Sequence, residues 1–136
     1  MCNQVWTIWC NKMCHILRRR CRQTTGGCQI WTGSKTRSNS QASPYGFIRV
    51  RLPWSTSRKK IRVHVLAYLI NNIEKRNSIL GDRNFDISHL CHQSLCTQIL
   101  HLSPEPRCIN NGRRFCNSNK VCHGHGYYGK CVFPAD

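Results

Sequence analysis

Cys91, Cys96 and His101 stand in a C-x4-C-x4-H spacing, and Cys116, Cys122, His125 and Cys131 follow as C-x5-C-x2-H-x5-C. These two soft-donor groups constrain the chain more than any hydrophobic pattern in it, because thiolates and imidazoles so spaced close around a zinc ion. The second group is a complete Cys3His set. His123, which adjoins Cys122, competes with His125, but a neighbouring pair is harder to close around one ion. The first group supplies three ligands and needs a fourth. Cys28, at the head of an expected strand, would tie a sheet to the loop; His92 is the local competitor.

Composition agrees with a metal-stapled fold. A chain of 136 residues, 40% hydrophobic with much of that cysteine, makes one domain, or one with an appendage, and buries a modest core. Small cores of this kind are commonly held by metals or disulfides. Eleven cysteines interleave with seven histidines, which favours metal binding in a reducing compartment over a disulfide scaffold. The start, Met1-Cys2-Asn3-Gln4-Val5-Trp6, has no basic n-region, and Arg18-Arg19-Arg20 follows the apolar residues instead of preceding them. An intracellular location is therefore expected, nuclear in a eukaryote. No stretch approaches the length of a membrane span. Twenty-one Lys and Arg against five acids give +16, a field that attracts polyanions, nucleic acid above all. A ribosomal-type structural protein would be equally basic. The charge argues against an acidic protein partner or a small-metabolite enzyme.

Residues 1–25 read as a basic leader carrying Cys2, Cys10, Cys14, His15 and Cys21, whose spacing fits no zinc pattern. Val5, Trp6, Ile8 and Trp9 can form one side of a short helix extended by Leu17, yet a loosely attached arm is the simpler expectation. Residues 26–136 form the folded domain. Gly26-Gly27 is a turn before a short strand over Cys28–Thr32, and Ser34–Ser43 is a loop. Ile48, Val50 and Leu52 alternate with Arg49 and Arg51, predicting a half-buried strand. A turn over Pro53–Ser57 leads to a second basic strand over Arg58–Val63 with Lys60 and Arg62, giving an antiparallel pair. Its charged face lies on a phosphate backbone or is simply solvated. Val65, Leu66, Leu69 and Ile70 predict a helix from His64 to about Ile73, with His64 as a capping or core residue. Glu74-Lys75-Arg76-Asn77 is a polar exit, and Phe85–Leu90 is a short strand carrying His89.

His89 falls two residues before the first zinc ligand. A histidine fixed beside a metal and not bound to it is free to take a proton; otherwise it is a zinc ligand or a buried core histidine. The run Ser88-His89-Leu90-Cys91-His92-x3-Cys96-x4-His101, with Asn110-x-Gly112-Arg113-x-Phe115-Cys116 after it, resembles the His-Cys box homing endonucleases of the ββα-metal, or His-Me finger, nucleases. Cys28 and Pro44-Tyr45-Gly46-Phe47 resemble that family's first zinc ligand and following strand, so the resemblance spans roughly residues 26–131.

The resemblance implies a small α+β, zinc-stapled fold with antiparallel strands and few short helices. It implies hydrolysis of double-stranded DNA with His89 as general base and Asn110 as ligand of one catalytic Mg2+, two structural Zn2+ ions standing apart. The alternative is a non-catalytic zinc module that binds nucleic acid through Arg49, Arg51, Arg58, Lys60 and Arg62. Asn residues also serve often as helix N-caps, which Asn110 can do as well. Arg58 is the first choice for the scissile phosphate, with Arg49 and Arg62 open. Three features depart from the family: the leader, the extra Cys108, and an end at Asp136 where the family carries a tail that crosses to a partner subunit. The last leaves a homodimer open.

Overall fold

The computed structural model describes residues 4–37 and 43–133. The middle of the expected Ser34–Ser43 loop, the first residues of the leader and the end of the chain lie outside the described residues. The architecture is α+β: three separate two-stranded antiparallel sheets with helices packed among them.

The N-terminal segment departs from the expected loose arm. It is a helix, α1 (Gln4–Arg19), followed by β1 (Cys21–Gln23), which pairs with β2 (Gln29–Trp31). Trp9, Met13, Ile16 and Leu17 repeat at i, i+4, i+7 and i+8, and this stripe sits on the main core, with Met13 and Leu17 buried. Val5 and Ile8, taken from the sequence as part of the apolar side, are exposed. Trp6 and Trp9 meet Trp54 edge-on, and the Arg76 guanidinium lies 4.3 Å from the Trp6 ring. Trp9 Nε1 donates to the Arg51 carbonyl at 3.1 Å. The helix is thus fastened to the turn after β3, to the edge of that strand and to Arg76 further along the chain.

That sheet pairs β3 (Phe47–Arg51) with β4 (Arg58–Arg62), and Ile48 lies opposite Ile61 on the inner side. The apolar helix α2 (Val63–Asn71) follows directly, shorter than the expected helix, and buries Val63, Leu66, Ala67, Tyr68 and Leu69. The polar exit takes the form of a 3-10 turn at Ile73–Lys75 that runs into α3 (Arg76–Gly81). Trp31 fills the centre, wedged against Gly46 and Gly33, and a Cβ at either glycine would collide with its ring.

The third sheet pairs β5 (Phe85–His89) with β6 (Leu102–Pro106), and α4 (Arg107–Asn119) follows at once. Strand β5 was expected; β6 is obscured in the sequence by Pro104 and Pro106. Both prolines have the same parity along the strand, so their missing N–H groups point to the free edge and the ladder to β5 stays intact. Between β5 and β6 the loop doubles back onto β2, where Trp31 N donates to Leu95 O at 2.9 Å and Thr97 N to Gln29 O at 2.8 Å. No helix among the described residues is long and apolar enough to cross a membrane.

Candidate metal centres and active site

The β1–β2 turn and the β5–β6 loop bring four ligand atoms together. Those of Cys28, Cys91, Cys96 and His101 lie within 4.8 Å of one another. His101 Nδ1 stands 3.5 Å from Cys28 Sγ and 3.6 Å from Cys96 Sγ. A tetrahedral ion with Zn–S of ~2.3 Å and Zn–N of ~2.05 Å has S···N edges of ~3.6 Å, so these separations are cage edges. The three cysteines are buried. Without a cation the sulfurs compete for protons: the hydrogen bond from Cys91 pulls Cys96 down to about 5. The same contact, and then burial, pushes Cys91 far up. Three sulfurs and an imidazole nitrogen at these separations fit a cation held among them. Cys28 is therefore the fourth member. His92 is not: its backbone takes φ 61° and its ring stacks on Phe133 at 5.5 Å.

The second cage joins Cys116, near the end of α4, to Cys122, His125 and Cys131 in the segment after it. His125 Nε2 stands 3.5 Å from Cys116 Sγ and 3.6 Å from Cys131 Sγ, the same edges again. His125 and not His123 belongs to the set. Both Cys3His clusters fit structural zinc sites.

A buried ion pair links this cage to the third sheet. Arg113 on α4 donates from Nε to Glu105 Oε1 at 2.6 Å and from Nη2 to Oε2 at 2.7 Å, with the two side chains 2% and 0% exposed. Its Nη1 donates to Cys131 Sγ at 3.4 Å. Burial works against the charge of Arg113, but Glu105 and Cys131 outweigh it and raise its pKa. Neither Glu105 nor this use of Arg113 was found from sequence, where a buried arginine has no apolar signal.

His89 ends β5 and lies outside the first cage. Its Nε2 is 3.1 Å from the Cys96 carbonyl oxygen. A carbonyl only accepts, so Nε2 carries the proton and Nδ1 of the neutral ring is a free acceptor. Burial lowers its pKa to about 4, against the pull of that carbonyl, and His92 and Arg62 add to the lowering. His64, buried at the start of α2, faces it with ring centroids 4.3 Å apart, and its own pKa is lowered by burial, then by His89 and Arg62. Of the two roles considered for His64, core residue is the one observed; no side chain caps α2. Tyr45 stacks beside both, 5.6 Å from His64 and 6.3 Å from His89.

Asn110 is the fourth residue of α4, not its N-cap, a place that Pro106 takes. Its Nδ2 donates to Asp86 Oδ2 at 3.1 Å, which fixes the amide and leaves Oδ1 to accept or ligate. Arg107 grips the same carboxylate at 3.3 and 3.4 Å. Asp86, on the strand that carries His89, was overlooked in the sequence because one acid in a strand has no distinguishing pattern. An amide oxygen with a carboxylate behind it is a hard donor set suited to Mg2+.

In the register of β3 and β4, Arg49 lies opposite Lys60, Arg51 opposite Arg58 and Phe47 opposite Arg62. All five cations share the outer face and are exposed. Like charges placed directly opposite destabilise a hairpin, and a bound polyanion relieves that. Lys60 Nζ sits 4.1 Å from the Phe47 ring centre, and the Arg62 guanidinium 4.5 Å from that of Tyr45. Arg62 is thus joined to the two imidazoles through Tyr45, and, after burial, its charge also lowers the pKa of both. Arg58 begins the strand, four residues earlier, roughly 13 Å away at the usual rise.

Residues 27–132 match the family described as the zinc-binding loop region of homing endonucleases. The chain belongs to that family. This span holds both cages, His89 and Asn110, and leaves α1 and β1 outside it. No curated protein and no solved structure gives a significant match. Membership in a homing-endonuclease family supports a nuclease-like role and implies DNA as substrate, on a zinc-stapled α+β domain.

Proposed function

We propose that the chain is a DNA endonuclease that hydrolyses a phosphodiester bond with His89 as general base. The observation that carries the reading is the hydrogen bond from His89 Nε2 to the Cys96 carbonyl inside the first cage. It holds the ring by a metal-stapled loop and sets the tautomer that leaves Nδ1 as the acceptor; burial, acting against that bond, keeps the ring neutral, so Nδ1 can take the proton of the attacking water. Asn110, oriented by Asp86, would hold Mg2+ through Oδ1, and the ion would supply neutralisation of charge on the phosphate and on the departing oxygen. Arg62 steadies the scissile phosphate. In this reading Arg58 takes the flanking backbone with Arg49, Arg51 and Lys60. Zinc thiolates keep best in a reducing compartment, so the proposed place of action is intracellular, the nucleus in a eukaryote. One chain carries one such centre, so its primary product is a nick.

The test is nicking of supercoiled plasmid by the zinc-loaded protein with and without Mg2+. Cutting only with Mg2+ is expected; DNA binding with no cutting would instead favour a non-catalytic zinc module.

The tether on Asn110 gives a finer expectation. Asp86→Ala frees the amide to rotate, and loss of a partner behind a metal ligand costs about 10–100-fold in metal affinity. The Mg2+ concentration for half-maximal cutting should rise by that order, and saturating Mg2+ should restore most of the maximal rate. Asp86→Asn, which keeps an acceptor, should lie between. An unchanged Mg2+ titration in Asp86→Ala would remove Asp86 from the site.

A further inference from the structure

Helix α1 lies outside the residues that match the family, and yet one side of it completes a groove with the β3–β4 hairpin. The groove is about 540 Å³. Five cations line it, Lys12 and Arg20 from the N-terminal segment and Arg49, Arg51 and Arg58 from the hairpin, and no carboxylate does. Lys12 and Arg20 are exposed, whereas Met13 and Leu17 anchor the helix in the core. The Trp9 bond to Arg51 sets the helix against the edge of β3. Two walls of one sign, held rigidly across a gap, focus a positive potential into it. Three of the five cations already belong to the face assigned to DNA, so the groove continues that face past the hairpin.

We infer that α1 adds a second backbone-binding wall, and that the groove between α1 and the β3–β4 hairpin takes the phosphodiester backbone of duplex DNA flanking the cut. The occupant is duplex backbone because five cations and no carboxylate line the gap, and because it continues the face assigned to duplex DNA. This inference rests on the reading of the β3–β4 face as a DNA surface.

The experiment measures binding of the full zinc-loaded chain to a duplex of arbitrary sequence over a range of salt, beside Mg2+-dependent nicking. Each phosphate neutralised contributes ~0.9 to the slope of log K against log salt. The double variant Lys12→Gln, Arg20→Gln should therefore lose ~1.8 from that slope. The charge-keeping variant Lys12→Arg, Arg20→Lys should retain the wild-type slope, and single-turnover nicking at saturating protein should be unchanged in both. An unchanged slope in the neutral variant would overturn the inference, as would an equal loss in the charge-keeping one. If the slope falls as expected while wild type does not nick, the groove stands and the nuclease reading fails. If wild type nicks and the slope is unmoved, the reverse holds.

Discussion

Cys96→Ser should leave a chain that binds one zinc ion in place of two and does not keep its fold. Cys96 is fully buried, and its loop pairs with β2 through the Ile30–Cys96 bridge. The first cage is therefore the seam between the β1–β2 hairpin and the β5–β6 loop, and its loss releases both. Structural zinc in small modules supplies ~10–16 kcal/mol of apparent binding free energy, comparable to or above the ~5–15 kcal/mol that holds a typical domain together. Zinc content, far-UV circular dichroism and thermal melting read the effect. The second cage is more exposed and binds the end of α4 to the residues after it, so Cys122→Ser should fray that region and lower the melting temperature while the main core survives. Equal damage from the two variants would contradict this division.

Arg113→Met should destabilise the protein by ~3–5 kcal/mol, because it leaves the Glu105 carboxylate buried with no partner. At the scaling usual for domains near this size, that is a fall in melting temperature of about 10–20 °C. The variant also removes the donor to Cys131, so the second cage should hold zinc about 10–100-fold less tightly. Pairing it with Glu105→Leu should recover most of the stability, since apolar replacement of a whole buried pair is often neutral or better. The recovery should not extend to zinc affinity. A single-variant loss below ~1 kcal/mol would mean that water reaches Glu105 and that the pair is not the link described.

The two cages were legible because local spacing brings their ligands together: Cys91, Cys96 and His101 lie within one loop, and Cys28 heads the strand beside it. Strands β3, β4 and β5 and helix α2 showed in ordinary apolar alternation or helical spacing. What escaped has physical causes. Helix α1 puts Val5 and Ile8 in water and turns Trp9, Met13, Ile16 and Leu17 to the core, so the exposed apolar residues of its first turns pointed to the wrong side. Strand β6 carries two prolines on its free edge. Helix α4 buries only an arginine, and an ion pair across elements leaves no periodicity to find. The carboxylate that orients the Asn110 amide, Asp86, lies twenty-four residues away. Spacing placed Arg49 and Arg51 on one face of β3, but that Arg58, Lys60 and Arg62 share it follows from the register with β4.

The most direct measurement is single-turnover nicking of plasmid DNA by wild type and His89→Ala, both zinc-loaded, at saturating protein and Mg2+. Loss of a positioned general base costs about 10²–10⁴-fold, so the variant should bind DNA and two zinc ions as wild type does and cut slower by that factor. A variant that cuts as fast as wild type would show that the imidazole held by the Cys96 carbonyl is not the base.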